Sequence, residues 1–117
     1  MESESAIFAL AALGQSTRLE TFRLLVKHEP DGLPAGELAR ALCVPQNTLS
    51  AHLSVLTRAG LVRGDRHSRS IIYHAELERL RELIGFLLKD CCGGRSEICA
   101  PLLEDIGACE TNKGGCA

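Results

Sequence analysis

Two short helical stretches in tandem, then alternating apolar and polar residues, then a return to helical period predict a mainly α (α+β) chain. The pattern is that of a winged helix-turn-helix, with about five helices and a two-stranded β-hairpin wing. Only Cys43-Val44 separates the tandem helices, and the alternation lies in Leu61-Val62-Arg63 and Ser70-Ile71-Ile72-Tyr73. In such an arrangement the second helix of the pair enters the major groove of DNA and the wing reaches the backbone or minor groove.

Ala6, Ile7, Leu10, Ala11 and Leu13 recur at helical spacing, and Gly14 stops that helix. Ser16 or Thr17 is the expected cap of a second helix running to about Lys27, with Leu19, Phe22, Leu24, Leu25 and Val26 as its apolar positions. Glu29-Pro30-Asp31-Gly32 reads as a loop. Pro34 suits the first turn of a short third helix continued by Glu37, Leu38, Ala41 and Leu42. Pro45 opens the fourth, with Leu49, Leu53 and Leu56 on one face, and Ala59-Gly60 closes it. The hairpin tip is expected at Gly64 to Arg69, polar and basic. From about Glu76 the helical period returns in Leu77, Leu80, Leu83, Ile84, Leu87 and Leu88, until Cys91-Cys92-Gly93-Gly94 interrupts it. The chain therefore divides into a winged-helix domain, 1–90, and a cysteine-rich tail, 91–117.

At 117 residues the chain fits one domain with a small core, which dimerisation would help to stabilise. The longest uninterrupted apolar stretch, Ala6 to Leu13, is far short of a membrane span. The start, Met-Glu-Ser-Glu-Ser, is acidic where leader peptides are basic. The expectation is a cytoplasmic protein with no membrane partner, where thiols stay reduced. Six cysteines in that compartment point to metal or redox chemistry before disulfides. An enzyme is not expected, because no His, Asp or Asn stands in a motif that would activate a cysteine nucleophile.

Charge is unevenly distributed. Residues 40–74 hold Arg40, Arg58, Arg63, Arg66 and Arg69 against Asp65 alone, between two acidic ends. That distribution suits a polyanion, although an ordinary solvated face has the same appearance. The start of the fourth helix carries Gln46, Asn47, Thr48, Ser50 and His52, side chains of the sort that read base edges and phosphates. Asn47 and Thr48 could equally cap the helix, and His52 could pack in the core. Arg66 and Arg69 lie at the expected tip, where phosphate or minor-groove contact accounts for them best.

The run Leu42-Cys43-Val44-Pro45-Gln46-Asn47-Thr48-Leu49-Ser50-Ala51-His52-Leu53, then Ala59-Gly60-Leu61-Val62, then Arg66-His67-Ser68-Arg69 and Tyr73, resembles the ArsR/SmtB family of metalloregulatory repressors. Leu13-Gly14-Gln15-Ser16-Thr17-Arg18-Leu19 is similar to the family's second-helix entry, so the resemblance covers roughly residues 5–90. Ser68 is a departure, since the family often has glycine in the wing. The resemblance implies a homodimer built on the first and last helices. It also implies repression of a metal-resistance operon through double-stranded operator DNA, with release when an inducer binds. The winged-helix domain is then also the dimerisation domain.

The resemblance does not locate the inducer site. The family's third-helix arsenic site uses Cys-Val-Cys, whereas this chain has Cys43-Val44-Pro45. Its last-helix zinc site needs histidine, and Glu76 to Asp90 has none; its cadmium and lead site needs a cysteine in the fourth helix, which also has none. There remains the tail, with Cys91, Cys92, Cys99, Cys109 and Cys116. Cys91 and Cys92 are adjacent thiols, and Cys99 can return over Gly93-Gly94 as a third, a short loop costing about 1–2 kcal/mol to close. Soft thiolates select soft ions, and three of them suit pyramidal As(III), where zinc normally takes four ligands. Cys91-Cys92-Gly93-Gly94 with a downstream cysteine also resembles the C-terminal arsenic site of some family members. The expected metal ligands are Cys91, Cys92 and Cys99, with As(III) as inducer, Sb(III) as an alternative and no organic cofactor. Cys43 reads as a buried small hydrophobe. A thiol redox sensor on the same fold and a thiol-rich metal buffer or carrier are the rival functions.

Overall fold

In the computed structural model residues 1–88 are described, and they carry five helices and a three-stranded antiparallel sheet. The elements are α1 (Ser3–Leu13), α2 (Ser16–Lys27), β1 (Leu33–Pro34), α3 (Ala35–Leu42), α4 (Gln46–Arg58), β2 (Val62–His67), β3 (Ser70–Ala75) and α5 (Leu77–Leu88). A first compact unit spans Met1–Leu83, and α5 runs on into the unit that starts at Ile84. Cys91, Cys92 and Cys99, with Cys109 and Cys116, lie outside the described residues.

Leucines from several elements form the core: Leu25, Leu38, Leu49, Leu53, Leu56 and Leu61 are fully buried. Leu49, Leu53 and Leu56 are four and three residues apart, which places them on one face of α4 and turns the intervening side chains outward. α1 packs inward only through Ala6, Ala9 and Ala12, whose small side chains permit close approach. Its larger apolar residues face outward: Ile7 is 63% exposed, Phe8 46% and Leu10 42%.

The wing is longer than the sequence pattern indicates. β2 and β3 pair continuously from Val62↔Ala75 to His67↔Ser70, so Gly64 to His67 are strand residues and the turn is Ser68-Arg69. Backbone hydrogen bonding carries the ladder through Gly64-Asp65-Arg66-His67, whose side chains give no alternating apolar signal. Ser68 adopts the left-handed conformation, φ 55°, which tight hairpin turns require and glycine meets most easily. The sheet also has a third strand: Leu33 pairs with Tyr73 and Pro34 with Ile72. Proline is tolerated there because β1 is an edge, in the order β1-β3-β2.

Three further local expectations are corrected. Pro34 is the extended N-cap of α3, φ −73° and ψ 155°, and not a residue of its first turn. α2 is capped by Gln15, whose Oε1 accepts the Arg18 N–H at 2.9 Å, because Gln15 is the last extended residue before Ser16 enters the helix. Cys43 is exposed, not buried: it is the C-cap of α3 in the left-handed conformation, φ 57°, which swings the chain away from the core at the turn. α4 ends as expected, with Gly60 at φ +79° and the Leu61 N–H reaching the Leu56 carbonyl at 3.0 Å.

Candidate nucleic-acid interface

α4 begins from Pro45 in an extended conformation, and the Leu49 N–H closes the first turn on the Pro45 carbonyl at 3.0 Å. Because the leucine face is buried, Gln46, Asn47, Thr48 and Ser50 are all exposed at the start of the helix. Its first N–H groups present the positive end of the helix dipole, which favours a phosphate. One of those groups is already occupied: Asn47 Oδ1 accepts the Thr48 N–H at 3.0 Å.

Gln46 and Ser50, one turn apart, line an open groove of about 330 Å³. Arg69, Ile71 and Tyr73 of the wing line it from the sheet, and Pro34 and Gly36 line it beside them. Gly64 makes room for this wall, since a Cβ there would lie 2.9 Å from Ile71 Cγ2 and 3.2 Å from Tyr73 Cε1. Arg66 pairs with Ile71 in the ladder, and cross-strand partners share a sheet face, so Arg66 belongs to the groove side of the wing. Hydrogen-bonding side chains thus occupy one wall and arginine the other, complementary to base edges and phosphates.

The other sheet face uses its charges internally. Arg63 Nε donates to Asp65 Oδ1 at 3.1 Å and Nη1 to Glu76 Oε1 at 2.6 Å. The Arg63 hydrogen bond holds the Asp65 carboxyl below its ordinary range, and the same contact raises the guanidinium. Arg63 is therefore committed within the fold, and its neutralisation of Asp65 leaves Arg40, Arg58, Arg66 and Arg69 as the basic surface. These four are exposed and form no ion pair among the described residues.

His52 stands apart from the other α4 candidates. It is half-buried, its Nδ1 3.3 Å from Arg18 Nη1, while Arg18 Nε donates to the Ala12 carbonyl at 2.6 Å. The structure thus gathers Gln46, Ser50 and Arg69 around one groove, with Asn47 and Thr48 exposed beside them and Arg66 along the wing. Pro34 and Gly36 join the site without a sequence signal for that role, since β1 forms only on meeting β3; Ile71, expected as a strand residue, joins it as part of β3. Among the described residues no cluster of three or more His, Cys, Asp or Glu is placed to hold a metal ion, and no helix is long and apolar enough to cross a membrane.

The family model of a helix-turn-helix domain matches residues 13–65. The solved structure of an ArsR-like transcriptional regulator from Rhodococcus sp. RHA1 is 26% identical, with a TM-score of 0.64, covering 92% of each chain. The transcriptional activator HlyU of Vibrio cholerae is 30% identical over 90 residues, 77% of this chain and 81% of HlyU. The chain belongs to the ArsR/SmtB family of transcriptional regulators. The regulator is also 41% identical over 64 residues to NmtR of Mycobacterium tuberculosis, 55% of this chain and 51% of NmtR. The solved structure of Vibrio cholerae HlyU, 31% identical, covers 75% of the regulator and 98% of its own chain at a TM-score of 0.59. These relatives are transcriptional regulators on a DNA-binding fold, so the regulator is not an enzyme.

Proposed function

We propose that the regulator is a homodimeric repressor of the cytoplasm that binds double-stranded operator DNA and leaves it when As(III) binds Cys91, Cys92 and Cys99. The observation that carries the inducer reading is the adjacent pair Cys91-Cys92 followed, across Gly93-Gly94, by Cys99. A trithiolate matches the softness and three-coordinate geometry of As(III), and Sb(III) shares that preference. The DNA reading is supported by the groove between Gln46, Ser50 and Arg69. Dimerisation is supported by the outward apolar face of α1, Ile7, Phe8 and Leu10, which water disfavours. A structure of the same fold, Mb0332 from Mycobacterium bovis, is described as homodimeric. Two reading helices in a symmetric dimer address half-sites about 34 Å apart. As(III) needs only to favour the state with the wrong spacing, and typical couplings are about 1–3 kcal/mol.

A second reading, a thiol redox sensor, is favoured by one observation: Cys43 is exposed at the turn before α4. A related structure, 31% identical, is described as reduced HlyU.

The deciding experiment selects a duplex from a random DNA library with the purified regulator. As(III), Sb(III), Cd(II), Zn(II) and peroxide are then titrated side by side against the complex. Release by As(III) or Sb(III) alone supports the proposal. Release by peroxide without metal, reversed by a dithiol, replaces it with the redox sensor. Failure to bind DNA in a salt-dependent manner leaves the metal buffer or carrier.

A further inference from the structure

His74 is the only ionisable side chain among the described residues that is buried, at 7% exposure, and it makes no direct contribution to the groove. Its two ring nitrogens face carboxylates from two different elements. Nδ1 lies 3.0 Å from Glu29 Oε2, in the loop between α2 and β1, and Nε2 lies 3.6 Å from Asp65 Oδ2 in β2. The loop is fitted closely to the ring. A Cβ at Gly32, where φ is +73°, would stand 2.7 Å from His74 Cε1 and 2.8 Å from Ile72 Cγ2. The charged groups around this point, among the described residues, are Glu29, Asp65, Arg63 and Glu76, with His67 acting on Asp65 through its charge.

An imidazolium donates from both nitrogens, whereas a neutral ring donates from one and turns a lone pair toward the other carboxylate. Losing the proton to solvent therefore changes the bridge in two ways. The tie to Asp65 is lost, and the tie to Glu29 falls from a doubly charge-assisted hydrogen bond to one with a neutral donor, a weaker bond. β3 carries His74 and continues directly to the Ser68-Arg69 turn, so the hairpin that holds Arg66 and Arg69 is anchored here.

We propose that Glu29, His74 and Asp65 form a proton-dependent latch that fixes the wing to the loop between α2 and β1 and thereby sets how the wing meets DNA. His74 and Glu29 are positioning residues and touch no nucleic acid themselves. The proposal rests on the DNA-binding reading for its consequence, and the test separates the two.

The full chain is assayed by fluorescence anisotropy against a duplex selected from a random library by the wild type, between about pH 5.5 and 8.5, where histidine titrates. Wild-type affinity should fall with rising pH by about three- to tenfold more than that of His74→Gln or Glu29→Gln, a range set by one charge-assisted hydrogen bond. His28→Gln, an exposed histidine at the end of α2, should keep the wild-type profile. The second measurement needs no DNA: backbone amide shifts of Gly32, Leu33 and Asp65 should follow the His74 titration in the wild type. They should stay still over that range in His74→Gln. If that variant does not fold, Glu29→Gln carries the affinity comparison, and its Gly32 and Leu33 amides should follow the His74 titration less than those of the wild type. Equal pH profiles in wild type and both variants, or amides that do not follow His74, overturn the latch. Absence of DNA binding in every variant overturns the regulator reading instead, and the latch then stands or falls on the amide shifts.

Discussion

Arg18 Nη1 stands 3.3 Å from His52 Nδ1 while its Nε donates to the Ala12 carbonyl at 2.6 Å. One guanidinium thus joins the end of α1, the first turn of α2 and the middle of α4. A guanidinium only donates, so in this contact Nδ1 is the acceptor. Arg18→Ala should destabilise the fold by about 1.5–3 kcal/mol, the range for hydrogen bonds to a charged group, read as a lower urea midpoint. His52→Ala should cost less, since the Arg18 tie to Ala12 survives. Loss of sequence-specific binding in His52→Ala at unchanged stability would return His52 to the reading residues.

Arg66→Ala and Arg69→Ala should weaken DNA binding on every sequence and reduce the salt slope by about one counterion each. Both are exposed on the wing, and neither has an ion-pair partner among the described residues to account for its charge. Arg63→Ala should leave the salt slope nearly unchanged, because Arg63 already serves Asp65 and Glu76. Binding isotherms at several salt concentrations separate the two classes. An unaltered slope in both wing variants would remove the wing from the contact.

Gln46→Ala and Ser50→Ala should relax sequence preference, with about 1–3 kcal/mol of discrimination lost for a bidentate contact of the Gln46 amide and less for the single Ser50 hydroxyl. They occupy the groove wall opposite Arg69. Thr48→Ala should behave similarly. Asn47→Ala should also lower stability, because its Oδ1 holds the Thr48 N–H. Repeating the library selection with each variant is the measurement. Equal loss on selected and random duplexes would show that α4 does not read sequence.

The reading helix was legible because its signals are local: Pro45 at the start, leucines at 49, 53 and 56, and Gly60 at the end. The rest of the site depends on contacts between distant residues. Leu33-Pro34 is too short to carry an alternating pattern and becomes a strand only by meeting Ile72 and Tyr73. The outer half of β2, Gly64 to His67, is polar, so the sequence pattern misses a ladder held by backbone bonds. Glu29 and His74 are 45 positions apart, and they meet only through tertiary contacts, the packing of α2 on β3 and the pairing of β1 with β3. Cys43 resembles a core residue by type, and its exposure follows from a left-handed turn that no side-chain pattern signals.

The acid side of the stability profile has a specific expectation. The Asp65 carboxyl is held below its ordinary range, first by the Arg63 hydrogen bond, so the folded state binds this proton more weakly than the unfolded chain. Its stabilising contribution is present in full above the unfolded value and is lost as pH falls through the lower folded value. Arg63→Gln should therefore lower Tm slightly near neutrality and flatten its fall below about pH 4, so that the two curves converge in acid. The effect is small, because both side chains are more than 40% exposed. A steeper acid limb in Arg63→Gln would reverse the assignment.

Repression and induction should separate by mutation. The reading residues lie on α4 and the wing, whereas Cys91, Cys92 and Cys99 lie beyond residue 88, so serine at any of the three should leave DNA binding intact. Each replacement exchanges a soft thiolate for a hard oxygen that As(III) accepts poorly, and a trithiolate fails once one arm is missing. The three variants should therefore lose As(III)-driven release alike. Cys109→Ser and Cys116→Ser, singly or together, should still respond. Cys43→Ser should respond fully at little cost in stability, because Cys43 is exposed and its Sγ only approaches the Arg40 carbonyl at 3.8 Å. Release assays on the selected duplex, with all six single variants in parallel, are the measurement. A full response in Cys99→Ser, with loss in Cys109→Ser, would move the third ligand. Loss in Cys43→Ser would bring the turn before α4 into the inducer site and favour the redox reading.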